Sequence, residues 1–444
     1  MQNSLNNQKT ISLNRSVLAH SEVTSAKKNR ALGTITKLCA NVDLKGNIFD
    51  RDKAREYRKS TTKLKERAGE ILYKPKEKKQ HRVCACGKCR IDGTAPVGVR
   101  YNATKEMASY SNLQWCGSVW LCPDCSYRIT QERKKELAEA LKACRDKRLH
   151  VSMLTLTAPH YMGDDLRLLL KKMSKAKYKF WTDRDCRTYL SENYPMVGHI
   201  TATEVKYSDN NGWHPHYHIL IFTEKKYQDE DIALLQDELY EFWADKCVKS
   251  GLGKPSKAHG LNLKTGSKDE VLADYISKWG LAEEMTQAHQ KIGKKNRQSL
   301  TVWEILELST MEKSVKDKYS HLFGVYAQAF KGRSQLHWSK GLKELLRVED
   351  KSDDQLANEH GEEDPQDEVY DMLALSEQDW WAICFHRLRV EFLELVELDI
   401  SRYGIDTDFR TTRDFLWNLK YPNDFGQAVA SGSGVEGVAP LTHS

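Results

Sequence analysis

The sequence predicts an α+β protein built around a central antiparallel sheet. Two β-rich runs, at 199–207 and 216–222, are joined by the turn-forming residues 208–213, and such a pair predicts a β-hairpin. Helical patterns lie on both sides of this hairpin, and mixed strands and helices of this kind favour an α+β layer structure over a doubly wound parallel sheet. A length of 444 residues indicates two or three domains.

Five segments follow one another in the predicted domain order. The first 50 residues are polar and aperiodic, and residues 51–80 hold 12 basic against 5 acidic side chains, which is typical of a disordered arm. Residues 51–80 also fit an exposed helix. The predicted segments are a basic, largely disordered arm (1–80), a cysteine-rich zinc module (81–130), the domain that holds the hairpin (131–346), an acidic linker (347–371), and a helical C-terminal region with a flexible tail (372–444).

Within the hairpin domain, the pattern predicts a regular series of elements. A charged helix begins near residue 129 and leads into an apolar strand. The remaining predicted elements are that strand (153–160), a helix (164–181), the hairpin, a helix (228–249), and a helical run (269–285).

The charge distribution is typical of a protein that binds a polyanion. Residues 349–371 contain 11 acidic residues and one basic residue. Since this segment carries −10 and the whole chain +7, the rest of the chain carries +17. Neutralisation of phosphates supplies most non-specific affinity for nucleic acid, so DNA is the expected partner. A solvated basic surface is the alternative.

Neither a membrane nor the secretory pathway is expected from the sequence. No run approaches the ~18 apolar residues that a membrane span needs, and the first 23 residues lack the apolar core of a signal peptide. The predicted location is therefore the cytoplasm. In that reducing compartment the 11 cysteines are interpreted as thiols or metal ligands.

A cluster of cysteines predicts a structural zinc site. Cys86 and Cys89 form one pair of the type Cys-x-x-Cys, and Cys122 and Cys125 form a second. Two such pairs suit one tetrahedral ion with no open position for water. Cys84 and Cys116 lie nearby in the sequence, so the choice of four ligands stays open; buried free thiols are the alternative. The candidate ligands are Cys86, Cys89, Cys116, Cys122 and Cys125.

The segment from Trp213 to Phe222 predicts a second metal site. Side chains alternate along a strand, so His216 and His218 point to one face, about 7 Å apart, and can chelate one ion. Glu204 precedes His216 by twelve residues, and the hairpin would bring it opposite the pair. His214 is the rival third ligand. A mixed set of histidine and carboxylate ligands with open positions suits catalytic Mn²⁺ or Mg²⁺.

A tyrosine on a predicted helix completes the candidate residues. Tyr275 and Lys278 are three residues apart and share one helix face. A phenol can attack phosphorus and form a covalent intermediate, and a neighbouring ammonium can stabilise the charge that develops. Packing in a helix interface is the alternative role for such a tyrosine.

Together these segments resemble the rolling-circle replication initiators of bacterial plasmids, in the HUH endonuclease superfamily. The resemblance covers about 82–346 in order. It rests on Leu-Thr-Leu-Thr at 154–157, Gly-Trp-His-Pro-His-Tyr-His at 212–218, Tyr-x-x-Lys at 275–278 and the cysteine segment at 116–125. The segments 278–286 and 335–342 are also similar to one plasmid subgroup.

The resemblance implies a fold, an activity and partners. The fold would be an HUH-type nuclease domain, with the histidine pair on a central strand and the tyrosine on a helix that faces it. The protein would nick one strand at a plasmid origin, leaving a free 3′-OH and a 5′-phosphotyrosyl link to Tyr275, in the bacterial cytoplasm. Host helicase and polymerase would then act on the nicked origin, and binding would present the nick site unpaired.

Two positions depart from the family pattern. Residue 279 is Trp, so no second tyrosine follows at the spacing of the two-tyrosine initiators. Some relatives carry a glutamate four residues before the tyrosine, where this chain has Val271. Glu270 and Asp274 flank that position and are the candidate bases for a water that ends the reaction.

Two other functions remain open at the level of sequence. One is an HUH single-strand transposase, which would be recognised by transposon ends around its gene. The other is a non-catalytic zinc-dependent DNA-binding regulator, in which the His-Tyr-His and Tyr-x-x-Lys groups would lie apart. A hydrolase of small phosphoesters is disfavoured because its site needs no extended basic groove.

Overall fold

The computed structural model describes residues 51–227, 229–265, 299–359 and 367–421. The chain divides into two compact units. The first takes residues up to 53 together with 133–349, and the second takes 54–132 and 350–444. Among the described residues, no helix combines the length and the apolar character that crossing a bilayer requires.

Twelve α-helices occur in the described residues. A short 3₁₀ helix at Arg82–Ala85 accompanies them. The α-helices are α1 (Arg51–Leu72), α2 (Pro123–Asp146), α3 (Leu166–Thr182), α4 (Arg184–Asn193), α5 (Asp229–Val248), α6 (Val302–Leu308), α7 (Lys313–Phe330), α8 (Leu342–Leu346), α9 (Asp353–Glu359), α10 (Glu377–Phe385), α11 (Arg389–Tyr403) and α12 (Arg410–Lys420).

A five-stranded antiparallel sheet forms the centre of the first unit. Its strand order is β6–β3–β5–β4–β7, so β5 lies in the middle with neighbours on both sides. The strands are β3 (His150–Thr157), β4 (Met196–Ser208), β5 (Gly212–Thr223), β6 (Leu261–Thr265) and β7 (Leu336–Trp338).

The hairpin of β4 and β5 sets the register of this sheet. The turn requires a glycine at position 212, because the backbone there has a φ of 72°, which other residues rarely adopt. A Cβ atom at this position would also lie only 3.0 Å from the Tyr161 carbonyl oxygen. Ser208 pairs with Gly212 at the turn, and the pairing continues to Met196 opposite Thr223. Because side chains alternate along both strands, this register decides which residues share a face.

Each face of the sheet is covered by its own apolar core. One core joins alternate residues of β3 and β5 to α3, α4 and α5, with Phe180, Tyr217 and Trp243 fully buried. The other joins the opposite face to the 133–146 part of α2 and to α8, around Leu141, Leu220 and Phe222. The candidate histidines lie on this second face, beyond the end of its apolar core.

The second unit contains a three-stranded antiparallel sheet in the order β2–β1–β8. Its strands are β1 (Val97–Asn102), β2 (Met107–Ser111) and β8 (Val369–Leu375). Their apolar side chains pack with α10, α11 and α12 around Val99, Phe392 and Val396. The unit therefore combines the cysteine-rich segment with residues near the C-terminus.

The α+β class with antiparallel sheets is confirmed, and so are most predicted elements of the hairpin domain. The helices predicted at 164–181 and 228–249 correspond to α3 and α5, and both hairpin strands are present. The predicted strand at 153–160 lies three residues earlier, as β3. The helical run predicted at 269–285 lies outside the described residues.

Two segments differ from the predicted domain order. Residues 51–72, predicted as part of a disordered arm, form helix α1, because Leu64 and Ala68 give it a buried apolar face. Residues 369–375, which span the end of the predicted acidic linker, form β8, because Leu375 joins a buried core while Asp371 stays exposed. Such pairing between distant segments leaves no local signal in composition.

Candidate functional site

Strand β5 carries three histidines on one face of the central sheet. The side chains of His214, His216 and His218 alternate with the buried Trp213, Pro215 and Tyr217. The neighbouring strand β4 places Glu204 directly opposite His216, as the hairpin predicted. The pairing of β4 with β5 therefore brings a carboxylate to two imidazoles that would otherwise only be neighbours along a strand.

Glu204, His216 and His218 form a compact, buried cluster. The Glu204 Oε2 atom lies 2.6 Å from His216 Nε2 and 2.9 Å from His218 Nε2. The side chains of Glu204, His216 and His218 are only 2%, 12% and 9% exposed. One ligand atom from each residue lies within 4.8 Å of the other two, so the three residues could hold one metal ion.

The protonation states of this cluster suit a metal. Burial disfavours the Glu204 carboxylate, but hydrogen bonds with His216 and His218 outweigh it, so the pKa of Glu204 lies far below its ordinary value. Burial also lowers the pKa of His216, although Glu204 acts in the opposite direction. The cluster thus offers an anionic carboxylate and a neutral imidazole at neutral pH, which are the forms that bind a cation.

Two further side chains support the cluster. Thr155 on β3 lies next to His218, with its Oγ1 atom 3.3 Å from His218 Nδ1, so Nε2 remains available as the ligand atom. Lys206 on β4 places its Nζ atom 3.0 Å from Glu204 Oε1. The role of Lys206 was not predicted, although its position two residues after Glu204 places it on the same face of the strand.

His214 lies beside the cluster without joining it. Its ring stacks on His160 at a centroid distance of 4.3 Å and lies 5.4 Å from the ring of His216. Burial lowers the pKa of His214 to about 4. Its Nε2 atom is buried and has no hydrogen-bond partner among the described residues. Glu204 rather than His214 therefore occupies the third position of the compact group.

A second compact group consists of four cysteines in the second unit. Cys86, Cys116, Cys122 and Cys125 are all buried, and their sulfur atoms lie within 4.8 Å of one another. Cys86 Sγ is 3.5 Å from Cys122 Sγ and 3.6 Å from Cys125 Sγ. Hydrogen bonds with Cys116 and the other two thiols hold the pKa of Cys86 far below its ordinary value.

The geometry of the four sulfurs fits a tetrahedral ion. A bond length of about 2.3 Å from zinc to sulfur gives an edge of about 3.8 Å between sulfurs in a regular tetrahedron. The separations found are only slightly shorter, and four sulfur donors suit zinc. The Lys65 ammonium lies close by: burial opposes its charge, but Asp124, Cys86 and Cys122 keep the pKa of Lys65 above its ordinary value.

The structure corrects the predicted set of cysteine ligands. Cys89 is exposed and lies outside the group, whereas Cys116 is buried within it. The turn after Cys86 passes through Gly87 at a φ of 63°, and the Cys89 carbonyl accepts a hydrogen bond from the Gln114 amide. This pairing brings the segment that contains Cys116 alongside Cys86 and leaves the Cys89 side chain in solvent.

The predicted nucleophile and its neighbours lie outside the described residues. These are Tyr275, Lys278, Glu270 and Asp274. The described chain before them ends with β6 at Thr265, and β6 pairs with β3. β3 in turn pairs with β5 and places Thr157 opposite His216.

Comparison with known proteins connects this site to DNA replication. Residues 108–251 match the model of a family described as "Replication protein". The resemblance to replication initiators is confirmed. The matched segment is about a third of the chain and contains Glu204, His216, His218 and three of the four clustered cysteines.

Two curated relatives are similar to part of this chain. "Protein rep" of Streptomyces lividans is 23% identical over an alignment of 295 residues that covers 53% of this chain and 64% of that protein. "Neomycin resistance protein" of Streptomyces cyanogenus is 27% identical over an alignment of 187 residues that covers 35% of this chain and 43% of that protein. The chain thus spans less than two thirds of either relative's length. No solved structure matches the chain.

Proposed function

We propose that the protein is a replication initiator that nicks one strand of plasmid DNA at its origin. The observation that carries this proposal is the buried group of Glu204, His216 and His218 on the central strands of a sheet, inside a segment that matches replication proteins. Two imidazoles and one carboxylate supply three ligands and leave the remaining positions of a divalent ion open. Open positions indicate a catalytic site.

The proposed metal is Mn²⁺ or Mg²⁺ at this group, and zinc at the four cysteines. When bound, the divalent ion would polarise an oxygen of the scissile phosphate. Glu204 and His218 would fix its position, since the hydrogen bond between His218 and Thr155 and the ion pair of Lys206 with Glu204 hold both side chains. Lys206 would also place positive charge beside the DNA phosphates.

Tyr275 is the proposed nucleophile. Its phenolate oxygen would form a bond to the phosphorus, and the bond from phosphorus to the 3′ oxygen of the preceding nucleotide would break. The departing 3′ oxygen would take a proton from water, which leaves a free 3′-OH and a 5′-phosphotyrosine. Lys278 would stabilise the phenolate, and Glu270 or Asp274 would activate water in a later step. The proposed partners are a host polymerase, which extends the 3′-OH, and a host helicase, which separates the strands.

The same HUH chemistry would suit a single-strand transposase, and the cysteine cluster would suit a zinc-dependent regulator. The match to replication proteins favours initiation over transposition. The buried carboxylate between two imidazoles favours catalysis over regulation, because a group that only bound DNA would gain nothing from a buried metal site with open positions.

Nicking of labelled single-stranded origin DNA in the presence of Mn²⁺ tests the proposal. We expect His218→Ala to lower the rate of nicking by at least about a hundredfold, because it removes one of three ligands of the ion. The matched control is His321→Ala, which changes an exposed histidine of α7 and should leave the rate within about twofold. Equal rates for both variants and the unchanged protein would rule out this metal site.

A further inference from the structure

Positive charge is concentrated in the first unit, and above all on helix α3. Residues 133–349 hold 37 basic against 29 acidic side chains, whereas 54–132 and 350–444 taken together are net acidic. Because phosphates are attracted to a basic surface, a polyanion is expected to contact the first unit beside α3. This helix has no acidic residue and six basic ones: Arg167, Lys171, Lys172, Lys175, Lys177 and Lys179.

Helix α3 packs against the face of the central sheet that is opposite the candidate metal group. Tyr217 of β5 belongs to this face, because it alternates with the two ligand histidines. Thr201 of β4 pairs directly with His337 of β7, so their side chains share one face. His199, two residues before Thr201, lies on that face as well and stacks on Trp181 of α3. This edge of the sheet therefore presents two imidazoles next to α3.

A lysine and an arginine complete a group of four basic side chains at this place. The Lys177 Nζ atom of α3 lies 4.6 Å from the centroid of the Tyr217 ring. Arg333, which follows α7, donates from Nη1 to Ser174 Oγ at 3.3 Å. The same Ser174 Oγ atom lies 3.3 Å from Tyr217 Oη, so Lys177 and Arg333 approach one tyrosine from two different elements. The name cation cluster is used below for Lys177, Arg333, His199 and His337.

Lys177 and His199 of the cation cluster have no acidic counterpart among the described residues. Lys177 forms neither a hydrogen bond nor an ion pair with any of them. Burial lowers the pKa of Lys177 to about 8, and the charge of Arg333 acts in the same direction. Burial also lowers the pKa of His199, and Lys177 and His337 lower it further. Partly buried cations are normally paired with an acid, so the cluster fits an anion that comes from outside the chain.

We propose that the cation cluster binds a backbone phosphate of duplex DNA. An ammonium, a guanidinium and imidazoles can all donate hydrogen bonds to phosphate oxygens. The two rings at this place already pack against members of the cluster, Tyr217 against Lys177 and Trp181 against His199. The cluster thus offers charge rather than a surface on which an unpaired base stacks, and charge recognises the backbone.

The length of α3 favours a polymer over a single small anion. Its 17 residues extend over ~25 Å, a length along which duplex DNA presents several phosphates. Neighbouring phosphates would meet the exposed Arg167, Lys171 and Lys175 of the same helix. The choice of DNA rests on the proposed function, but the site uses no residue of the nicking centre and lies on the other face of the sheet.

Fluorescence anisotropy of a labelled duplex oligonucleotide of unrelated sequence tests the proposal on the full chain. The affinity is measured over a range of salt concentrations, without added divalent metal, so that nicking does not contribute, and without a chelator that would remove zinc. Lys177→Met keeps an apolar stem that can pack on Tyr217 but removes the charge. We expect it to weaken binding about 5- to 10-fold at ~0.1 M salt. The slope of log K against the logarithm of the salt concentration should fall in magnitude by about 0.9, the value of one phosphate contact.

A matched control and a second readout separate this role from a structural one. Lys257→Met removes the same charge, but from an ammonium that lies 3.0 Å from Asp237 and is already paired. Its affinity for DNA should stay within about twofold. Thermal unfolding is the second readout. Lys177→Met should unfold at an unchanged or higher temperature, because it removes a partly buried charge without a partner, whereas loss of a purely structural residue would lower that temperature.

His337→Glu is an independent variant of the same cluster. His337 is exposed on the short strand β7, so its substitution does not endanger the fold, and a carboxylate there would repel a phosphate. We expect binding at least about fivefold weaker. The matched control is His321→Glu, at an exposed position of α7, which should bind DNA as the unchanged protein does.

Each outcome decides the matter. Weaker binding and a smaller salt slope in Lys177→Met and His337→Glu, with both controls unchanged, support the DNA site. Equal affinities and slopes in all folded variants overturn it. Inorganic phosphate that raises the unfolding temperature of the unchanged protein and not of Lys177→Met, while their DNA affinities stay equal, would assign the cluster to a free anion and overturn the DNA assignment. Weaker duplex binding by these variants of a protein that does not nick would leave this site standing while the nicking centre fails.

Discussion

At the scale of single residues, the register of β4 against β5 determines which side chains form the candidate metal group. His216 and His218 share a face because they are two apart, and Glu204 joins them because a short turn fixes the register of β4 against β5. Lys206 obeys the same rule. Alternation along a strand does not decide whether Cys116 or Cys89 is a ligand, because neither cysteine lies on a predicted strand. That choice depends on how a loop of more than thirty residues folds back.

The pH dependence of stability follows from a partly buried histidine outside the candidate site. Burial lowers the pKa of His199 to about 4, with a further contribution from Lys177, and the His199 ring stacks on Trp181 at 4.4 Å. Above pH 6.5 the imidazole is neutral in both the folded and the unfolded protein. Below pH 6.5 the unfolded chain binds the proton first, so the free energy of unfolding falls as the pH drops from about 6.5 to about 4.

Urea unfolding at several pH values measures this effect. A pKa that falls from 6.5 to about 4 corresponds to at most about 3 kcal/mol. We expect His199→Phe, which keeps a stacked ring, to reduce the fall in the free energy of unfolding between pH 6.5 and 4 by up to that amount. His321→Phe serves as the control at an exposed position. An identical pH dependence in all three proteins would show that His199 is protonated equally in both states.

At the scale of elements, local patterns identified the hairpin and the helices that pack on it, whereas pairing across long stretches of sequence stayed hidden. β8 lies more than 250 residues after its partner β1, and its first three residues close an acidic stretch that has the composition of a linker. Helix α1 has the basic composition that is typical of a disordered arm, although its Leu64 and Ala68 side chains are buried. In α1 the charged residues outnumber the few apolar positions that decide packing.

The cysteine group gives a prediction with an internal control. We expect Cys116→Ser to lower bound zinc from about one ion per chain to nearly none and to lower the unfolding temperature, because a structural zinc site contributes folding free energy. Cys89→Ser should keep both values, since Cys89 is exposed and outside the group. Metal analysis and calorimetry measure the two effects. Loss of zinc in Cys89→Ser with retention in Cys116→Ser would reverse the assignment.

Ion pairs of the buried Glu397 connect α11 to α1. Glu397 is 1% exposed and accepts hydrogen bonds from Arg55, from Arg58 and from the Ala108 amide. Glu397→Gln should lower the free energy of unfolding by about 3–5 kcal/mol, because it leaves two arginines without their charge partner. The control is Glu394→Gln, whose exposed pair with Lys59 should be worth less than about 1 kcal/mol. Equal losses in urea unfolding would contradict this account.

At the scale of the whole molecule, the sequence predicted a basic protein with two candidate metal groups, and each unit contains one of them. The division itself was not predictable, since the second unit is assembled from two stretches that 217 residues of the first unit separate. Several basic residues of 51–80 also have structural roles: Arg55 and Arg58 bind Glu397, and Lys65 binds Asp124. Their substitution is therefore expected to affect folding as well as affinity for DNA.

The central claim is that Tyr275 becomes joined to DNA in a reaction that depends on Glu204, His216 and His218. The direct measurement is mass spectrometry of peptides after incubation with labelled single-stranded origin DNA and Mn²⁺. We predict one adduct, on the peptide that contains Tyr275, which is absent from Tyr275→Phe and present in Tyr178→Phe, a change at an exposed tyrosine of α3. An adduct on another residue, or cleavage that proceeds without an adduct, would contradict the account.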